Sequence, residues 1–304
     1  MSKNTQKIAS IVKLKMLKSK KDIFSIIKSE NKIFLSRKDF IDIYHYCIDN
    51  KLIYSTTTFK MFSNFLKENE LYNEKIILDF PNKKYVKYFF KKPNLYEVLQ
   101  SINNKGYLSH YSAVAFHDLT NNIPKTIFFN VEKPKPTNES LKKEITQEEL
   151  NKAFYMPPRE SANLTSYGIY SINLLQGKYT NNLGVSEQVI DGQKINVADI
   201  ERTLIDIAVS PYYCGGCYEV LNVFKNAKGE VDIKKLVKML KKLNYIYPVH
   251  QSIGFYLEKA DYPAADLKPF EQMGKELRFF LQRELREQDR KFSERWNLYY
   301  PEFL

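Results

Sequence analysis

Three cysteines in 304 residues, Cys47, Cys214 and Cys217, are too few and of the wrong parity for a disulfide-stapled secreted fold. Apolar runs such as Ile76–Leu78 fall far short of the ~20 residues a membrane-spanning helix needs. The opening segment MSKNTQKIASIVKLKMLKSKK interleaves lysines with its apolar residues. It has neither the unbroken apolar stretch nor the small-residue cleavage site of a signal peptide. A cytoplasmic location and no membrane partner are the expectations. Phosphate loops are missing too: there is no GxxxxGK[ST], no GxGxxG after a strand and no Gly-Ser followed by Asp-x-Asp. HExxH and GxSxG are also absent. Motif spacing therefore gives no support to an enzyme, a cofactor or a metal.

What is present is a folded composition with an uneven charge. Hydrophobic residues make up 43% and aromatics 14%, too many for a disordered chain. The 47 Lys+Arg against 35 Asp+Glu give a net charge of +12. Residues 1–92 hold 20 basic and 9 acidic residues (+11), and residues 93–304 hold 27 and 26 (+1). Nearly all the excess thus sits in the first third, as in a basic module that attracts a phosphate polymer. The expected class is α+β, with a basic domain over 1–92, of which 1–29 is a helical extension, and a mixed α/β domain over 93–304.

In the first domain, apolar spacing predicts a helix over 5–29, a second helix Arg37–Asp49 capped by Ser36 with Phe40, Ile41, Tyr44 and Ile48 inward, and a third beginning near Thr57 or Thr58. Two β segments follow, Glu74–Phe80 and Tyr85–Phe90, joined by Pro81-Asn82-Lys83-Lys84. Three helices and a hairpin in this order predict a winged helix-turn-helix, whose third helix enters the major groove of double-stranded DNA. Thr56, Thr57, Thr58, Lys60, Asn64 and Lys67 would face the groove, with Lys83, Lys84 and Lys87 on phosphates. Arg37, also counted in that interface, is the only arginine of the first 92 residues; with so little guanine-reading chemistry, an AT-rich site is expected. The plainer alternative is a solvated helix face and a soluble hairpin.

In the second domain the expected helices are Leu95–Ile102, His110–Leu119, one capped by Thr146, the apolar IERTLIDIAV within 195–210, Tyr218–Lys225, Ile233–Asn244, Val249–Lys259 and a long charged Glu271–Gln288. Expected strands are Ile127–Glu132, Tyr167–Asn173 and Gln188–Ile190, the last turning at Asp191-Gly192. Several residues invite chemistry and have a plainer reading. Cys214-Gly215-Gly216-Cys217 lacks the second ligand pair a structural zinc needs, and reads as a glycine turn. His110 and His117 share a helical face and read as hydrogen-bonded histidines. Glu201 and Asp206 lie about 140° apart on one helix and do not converge as an acid/base pair; ion pairs with Arg202 or another element are the expectation. Lys234, Lys235, Lys238, Lys241 and Lys242 form an outer basic face on one helix.

Taken in order, Tyr107-Leu108-Ser109-His110-Tyr111-Ser112-Ala113, then His117-Asp118-Leu119, Pro124 and the strand Thr126–Val131, resemble the AbiEi antitoxins. So do Val197-Ala198-Asp199-Ile200-Glu201-Arg202-Thr203-Leu204-Ile205-Asp206, the Gly215-Gly216 turn, Ser252–Glu258 and the close with Trp296, Leu298 and Pro301. The resemblance implies a winged-helix repressor of its own promoter repeats, bound as a dimer or cooperatively. It also implies a C-terminal domain that counters a nucleotidyltransferase-like toxin in a type IV toxin–antitoxin system serving abortive infection against phage. Glu201, Arg202, Asp206 and the five lysines are the candidate antitoxicity surface. The rival readings are a stand-alone regulator with a ligand-sensing second domain, and a nucleic-acid-processing enzyme.

Overall fold

The computed structural model describes residues 3–30, 32–137, 144–190 and 192–304, with side chains from Ser10 onward. The chain divides into two compact units, Met1–Ile102 and Asn103–Leu304. The division falls one helix later than residue 92, and the mixed helix and strand content fits the α+β expectation.

The first unit opens with α1 (Lys3–Lys18) and α2 (Lys20–Ser29), where one helix was expected. They break at Ser19, which holds φ −91° and ψ 8°. A straight 25-residue rod would run about 38 Å, longer than a small core. The break keeps Val12 and Met16 of α1 and Ile23 and Ile27 of α2 on one cluster. A short strand with no sequence signal, β1 (Phe34–Ser36), precedes α3 (Arg37–Asp49). Ser36 caps α3 as expected: its Oγ accepts from the Asp39 N–H at 3.1 Å, and the Asp39 carboxylate accepts from the Ser36 N–H at 2.7 Å. The buried side of α3 is Phe40, Ile43 and Cys47; Ile41, Tyr44 and Ile48 are only half-buried.

Thr58 caps α4 (Phe59–Glu68), which buries Phe62, Phe65 and Leu66. Then β2 (Glu74–Phe80) and β3 (Lys83–Phe89) pair antiparallel. Phe80 faces Lys83, so the turn is only Pro81-Asn82, and Lys83 and Lys84 belong to a strand. β1 pairs with β3, Leu35 opposite Tyr88, giving the sheet order β1-β3-β2. Phe40 is the hub, its ring lying 4.3 Å from Tyr88, 5.3 Å from Phe59, 5.7 Å from Tyr72 and 6.0 Å from Phe62. The last helix of the unit, α5 (Leu95–Ile102), buries Glu97, whose carboxylate accepts from the Asn94 N–H and pairs with Lys91 at 3.2 Å.

The second unit contains β4 (Tyr107–Leu108), α6 (His110–Phe116), β5 (Thr126–Asn130) and α7 (Gln147–Tyr155), the last with the expected Thr146–Glu149 capping box. β6 (Leu164–Tyr167), β7 (Tyr170–Leu175), β8 (Val185–Ile190) and β9 (Gln193–Ala198) complete a six-stranded sheet of order β6-β7-β5-β4-β9-β8. The β7/β5 and β4/β9 pairs are parallel and the others antiparallel. The strand expected over Tyr167–Asn173 instead turns at Gly168, φ +58°, between β6 and β7. Of the expected Asp191-Gly192 turn, Asp191 lies outside the described residues.

Helices α8 (Ile200–Val209), α9 (Cys217–Asn226), α10 (Ile233–Leu243), α11 (Val249–Lys259) and α12 (Ala264–Glu271) follow. α8 is buried from Glu201 to Ala208 and packs against α6, α9, α10 and α11. The long helix expected over Glu271–Gln288 does not form. Gly274 takes φ +89°, outside the helical region, and Phe279 and Phe280 pair with Leu298 and Tyr299 instead. They enter a sheet in which β12 (Leu298–Pro301) lies between β10 (Phe279–Phe280), parallel, and β11 (Arg290–Ser293), antiparallel. Trp296, fully buried, stacks so close to Gly254 of α11 that a Cβ there would overlap its ring, and its Nε1–H donates to Glu258 at 2.7 Å. Among the described residues no helix is long and apolar enough to cross a membrane.

Two outcomes follow. Gly254→Ala should destabilise the chain by about 1–3 kcal/mol in urea unfolding, because the wedged Trp296 has nowhere to move. Burial works to raise the Asp39 pKa, but hydrogen bonds from Ser36 and Lys32 outweigh it and leave the carboxyl below its ordinary value. Its contribution is therefore complete above the unfolded carboxylate value and is lost as pH falls through the folded one. Asp39→Asn should cost about 1 kcal/mol at neutral pH, and the difference should shrink in melts run down to about pH 3.

Candidate nucleic-acid interface and a buried arginine centre

In the first unit, the cap and packing of α4 decide which polar groups remain outside. With Phe62, Phe65 and Leu66 inward, Lys60, Asn64 and Lys67 occupy positions i, i+4 and i+7 of the exposed side. Thr56 and Thr58 are exposed just before it. Thr57 is not available, being 1% exposed. Its N–H donates to the Tyr54 carbonyl at 2.9 Å, and its own carbonyl accepts from the Tyr44 hydroxyl at 2.5 Å. It anchors the turn into α4 and cannot face a groove. Arg37 is exposed in the first turn of α3.

The hairpin lysines differ from one another. Lys83 and Lys84 are exposed beside the Pro81-Asn82 turn. Lys84 pairs with Asp79 at 2.7 Å, and Lys83 lies 4.6 Å from the Tyr85 ring centroid. Lys87 is half-buried over Phe34, 4.8 Å from its centroid, and burial lowers its pKa against the pull of Asp39. Its charge is partly spent inside the unit. Lys60, Lys67 and Lys83 have no carboxylate partner among the described residues and are the free cations of this surface.

The second unit holds its charges inside. The Arg202 guanidinium donates from Nε to Asp206 Oδ1 at 2.8 Å, from Nη1 to the Leu183 carbonyl at 2.6 Å, and from Nη2 to the Tyr107 hydroxyl at 3.0 Å. Burial opposes its charge, but Asp206 and the neighbouring tyrosines outweigh burial and keep it protonated. Burial first, and Asp206 next, push the Tyr107 phenol up, so it stays a neutral acceptor for Arg202. Asn130 donates to that same phenol at 2.5 Å. Glu201 belongs to a separate pair. Lys235 of α10 reaches Glu201 at 2.6 Å and Asp199 at 2.8 Å. Lys235 therefore docks α10 on α8, which leaves Lys234, Lys238, Lys241 and Lys242 as the outer basic stripe.

The other chemical candidates have structural partners. His117 follows the last turn of α6 and hydrogen-bonds the Ala198 carbonyl at 2.7 Å; His110 bonds Ser109 at 2.9 Å and packs on Tyr213. Cys214 and Cys217 are buried free thiols whose pKa values burial raises, that of Cys217 to about 11, the reverse of a reactive cysteine. Between them Gly215 and Gly216 hold φ +77° and +95°, a bend that side chains disfavour. No three His, Cys, Asp or Glu side chains among the described residues gather into a metal-holding group. The pairing of Arg202 with Tyr107 and Leu183 escaped sequence reasoning; the one signal was a charged i,i+4 pair inside an apolar helix.

Arg202→Met alone should cost about 3–5 kcal/mol in urea unfolding, because Asp206 is left buried and unpaired. Adding Asp206→Leu should recover a substantial part of that loss.

No family model and no curated protein sequence matches the chain. The fold is similar to that of a solved structure, the RV2827C protein from Mycobacterium tuberculosis. The likeness has a TM-score of 0.56 at 11% identity and covers 91% of this chain and 89% of that one.

Proposed function

We propose that the chain is a DNA-binding autorepressor and antitoxin, with a winged helix-turn-helix in its first unit. One observation carries the DNA-binding part. The α2–β1–α3–α4–β2–β3 order, with β1 returning to pair with β3, supports a winged helix, and its free cations lie on α4 and the hairpin where such a domain meets DNA. The +11 balance of residues 1–92 agrees. Lys60 and Lys67 grip phosphates from α4, Lys83 and Lys84 from the hairpin, and Thr56, Thr58 and Asn64 read base edges, Asn64 suiting adenine. Lys87 and Thr57 serve the scaffold, and Arg37 sits at the margin. Two copies on promoter repeats match such a module.

The antitoxin part rests on the resemblance of the Tyr107–Ala113 and Val197–Asp206 segments to AbiEi proteins. In this reading the open stripe of Lys234, Lys238, Lys241 and Lys242 meets an acidic face of a nucleotidyltransferase-like toxin, while Glu201, Arg202 and Asp206 act inside, by holding α8 and α10 in place. The binding is non-catalytic. A second reading, a regulator that senses a small ligand, is favoured by a cleft in the second unit.

Titration of the full chain on the DNA upstream of its own reading frame, between low and moderate salt, tests the first part. Four lysine–phosphate contacts predict a log–log slope of about −3.6. Lys60→Glu with Lys83→Glu should weaken binding at least tenfold while Lys87→Met has a smaller effect. A flat salt response would sink the phosphate grip. Co-expression with the adjacent gene, scored by growth, tests the second part; failure of the full chain to restore growth removes the antitoxin role and leaves DNA binding standing.

A further inference from the structure

The second unit contains a cleft of about 410 Å³, within the range of about 300–1,000 Å³ common for small-molecule sites. Aromatic side chains make up a large part of its lining, Phe154, Tyr212, Tyr245, Tyr247, Phe279 and Phe280, beside aliphatic ones such as Val249 and Leu281. Four of these rings form one packed wall. Phe154 meets Phe279 at 4.9 Å and Tyr247 at 5.3 Å edge-on, and stacks with Phe280 at 5.8 Å and an angle of 16°. The wall is therefore preformed and rigid, which lowers the ordering cost of binding.

The polar groups of the cleft are few and specific. Gln282 lines it. Its Oε1 accepts from the Cys217 thiol at 3.0 Å, which fixes the side chain and leaves its Nε2 without a partner among the described residues. Ser210 lines the same space, and its hydroxyl has no partner among the described residues either. Arg283 is committed elsewhere: its guanidinium donates to the Ala153 carbonyl and lies 5.0 Å from the Phe154 ring centroid. Glu284 lies beside it, so the lining carries no surplus cation for a phosphate or carboxylate. Glu284 also holds φ +54°, a left-handed conformation disfavoured in a non-glycine residue, and its N–H is tied to the Phe154 carbonyl at 2.8 Å. The cleft thus keeps a strained residue on its lining.

We propose that this cleft binds a neutral, flat heteroaromatic ring of nucleobase size. Aromatic walls favour a π-faced ligand in offset or edge-on contact. The Gln282 amide and the Ser210 hydroxyl offer hydrogen bonds to heteroatoms on its edge, which an aliphatic or purely hydrocarbon ring leaves unmet. The neutral lining disfavours an ionic ligand. The site lies wholly in the second unit and stands whether or not the first unit binds DNA.

Saturation-transfer NMR and thermal shift on the full chain, with adenine, thymine, cyclohexanecarboxamide and N-acetyl-tryptophanamide as probes, test the site. Saturable binding of adenine or thymine, without binding of the cyclohexane compound, is expected. Val209→Trp, at an exposed lining position, should abolish binding by filling the cleft, and Gln282→Leu should weaken it about tenfold with the fold intact. No binding of either base, or binding indifferent to both substitutions, would overturn the proposal. Binding of N-acetyl-tryptophanamide alone would also overturn it, and would make the cleft a socket for a partner's aromatic side chain.

Discussion

A guanidinium buried among helices must either be satisfied completely or removed. Arg202 is satisfied by groups that the chain supplies from three places: Asp206 one turn along, the Leu183 carbonyl before β8, and the phenol of Tyr107 on β4, itself held by Asn130 of β5. A charge at this depth contributes little net stability when paired and costs several kcal/mol when not. Its effect is geometric: α8 can seat on the sheet in only one register. Once α8 is fixed, Glu201 and Asp199 point to Lys235, and α10 is fixed in turn. Helices α6, α9 and α11 also pack against α8.

The first unit follows a different logic, with an aromatic ring rather than an ion pair at the hub of its described residues. Phe40 gathers rings from α4, from the segment after it and from β3, so that one aromatic residue aligns the helices with the hairpin. Apolar contact is non-directional, and capping supplies the direction. Ser36 and Thr58 start α3 and α4 at defined residues and thereby choose which lysines remain outside. The free cations follow from the packing, since a lysine opposite Phe62 and Phe65 has nowhere to go but water.

What could be read from the sequence was what depends on neighbours a few residues away. The caps at Ser36 and Thr146, the start of α4 near Thr57 or Thr58, the α4 face and the lysine stripe of α10 all follow from i, i+3 and i+4 relations. What could not be read depended on distant partners. Three residues, Phe34–Ser36, carry no period, and only β3 makes them a strand. Glu271–Gln288 carried helix-forming charges, but Phe279 and Phe280 pair with Leu298 and Tyr299 beyond it. Thr57 looks like its exposed neighbours until the Tyr44 hydroxyl claims its carbonyl. Likewise Lys235 is one of five lysines in sequence and, among the described residues, the one that bridges two helices in space.

The wedge of Trp296 against Gly254 has a consequence in time. The core of the second unit takes in Trp296 and Leu298, and β12 is the middle strand of its small sheet, so α11 lacks its cover until Trp296 and β12 have left the ribosome. The first unit has all its own strands and helices some two hundred residues earlier. Synthesis therefore produces a finished basic module tethered to an unfinished second unit, and for that interval the order of translation, rather than any equilibrium, separates the two.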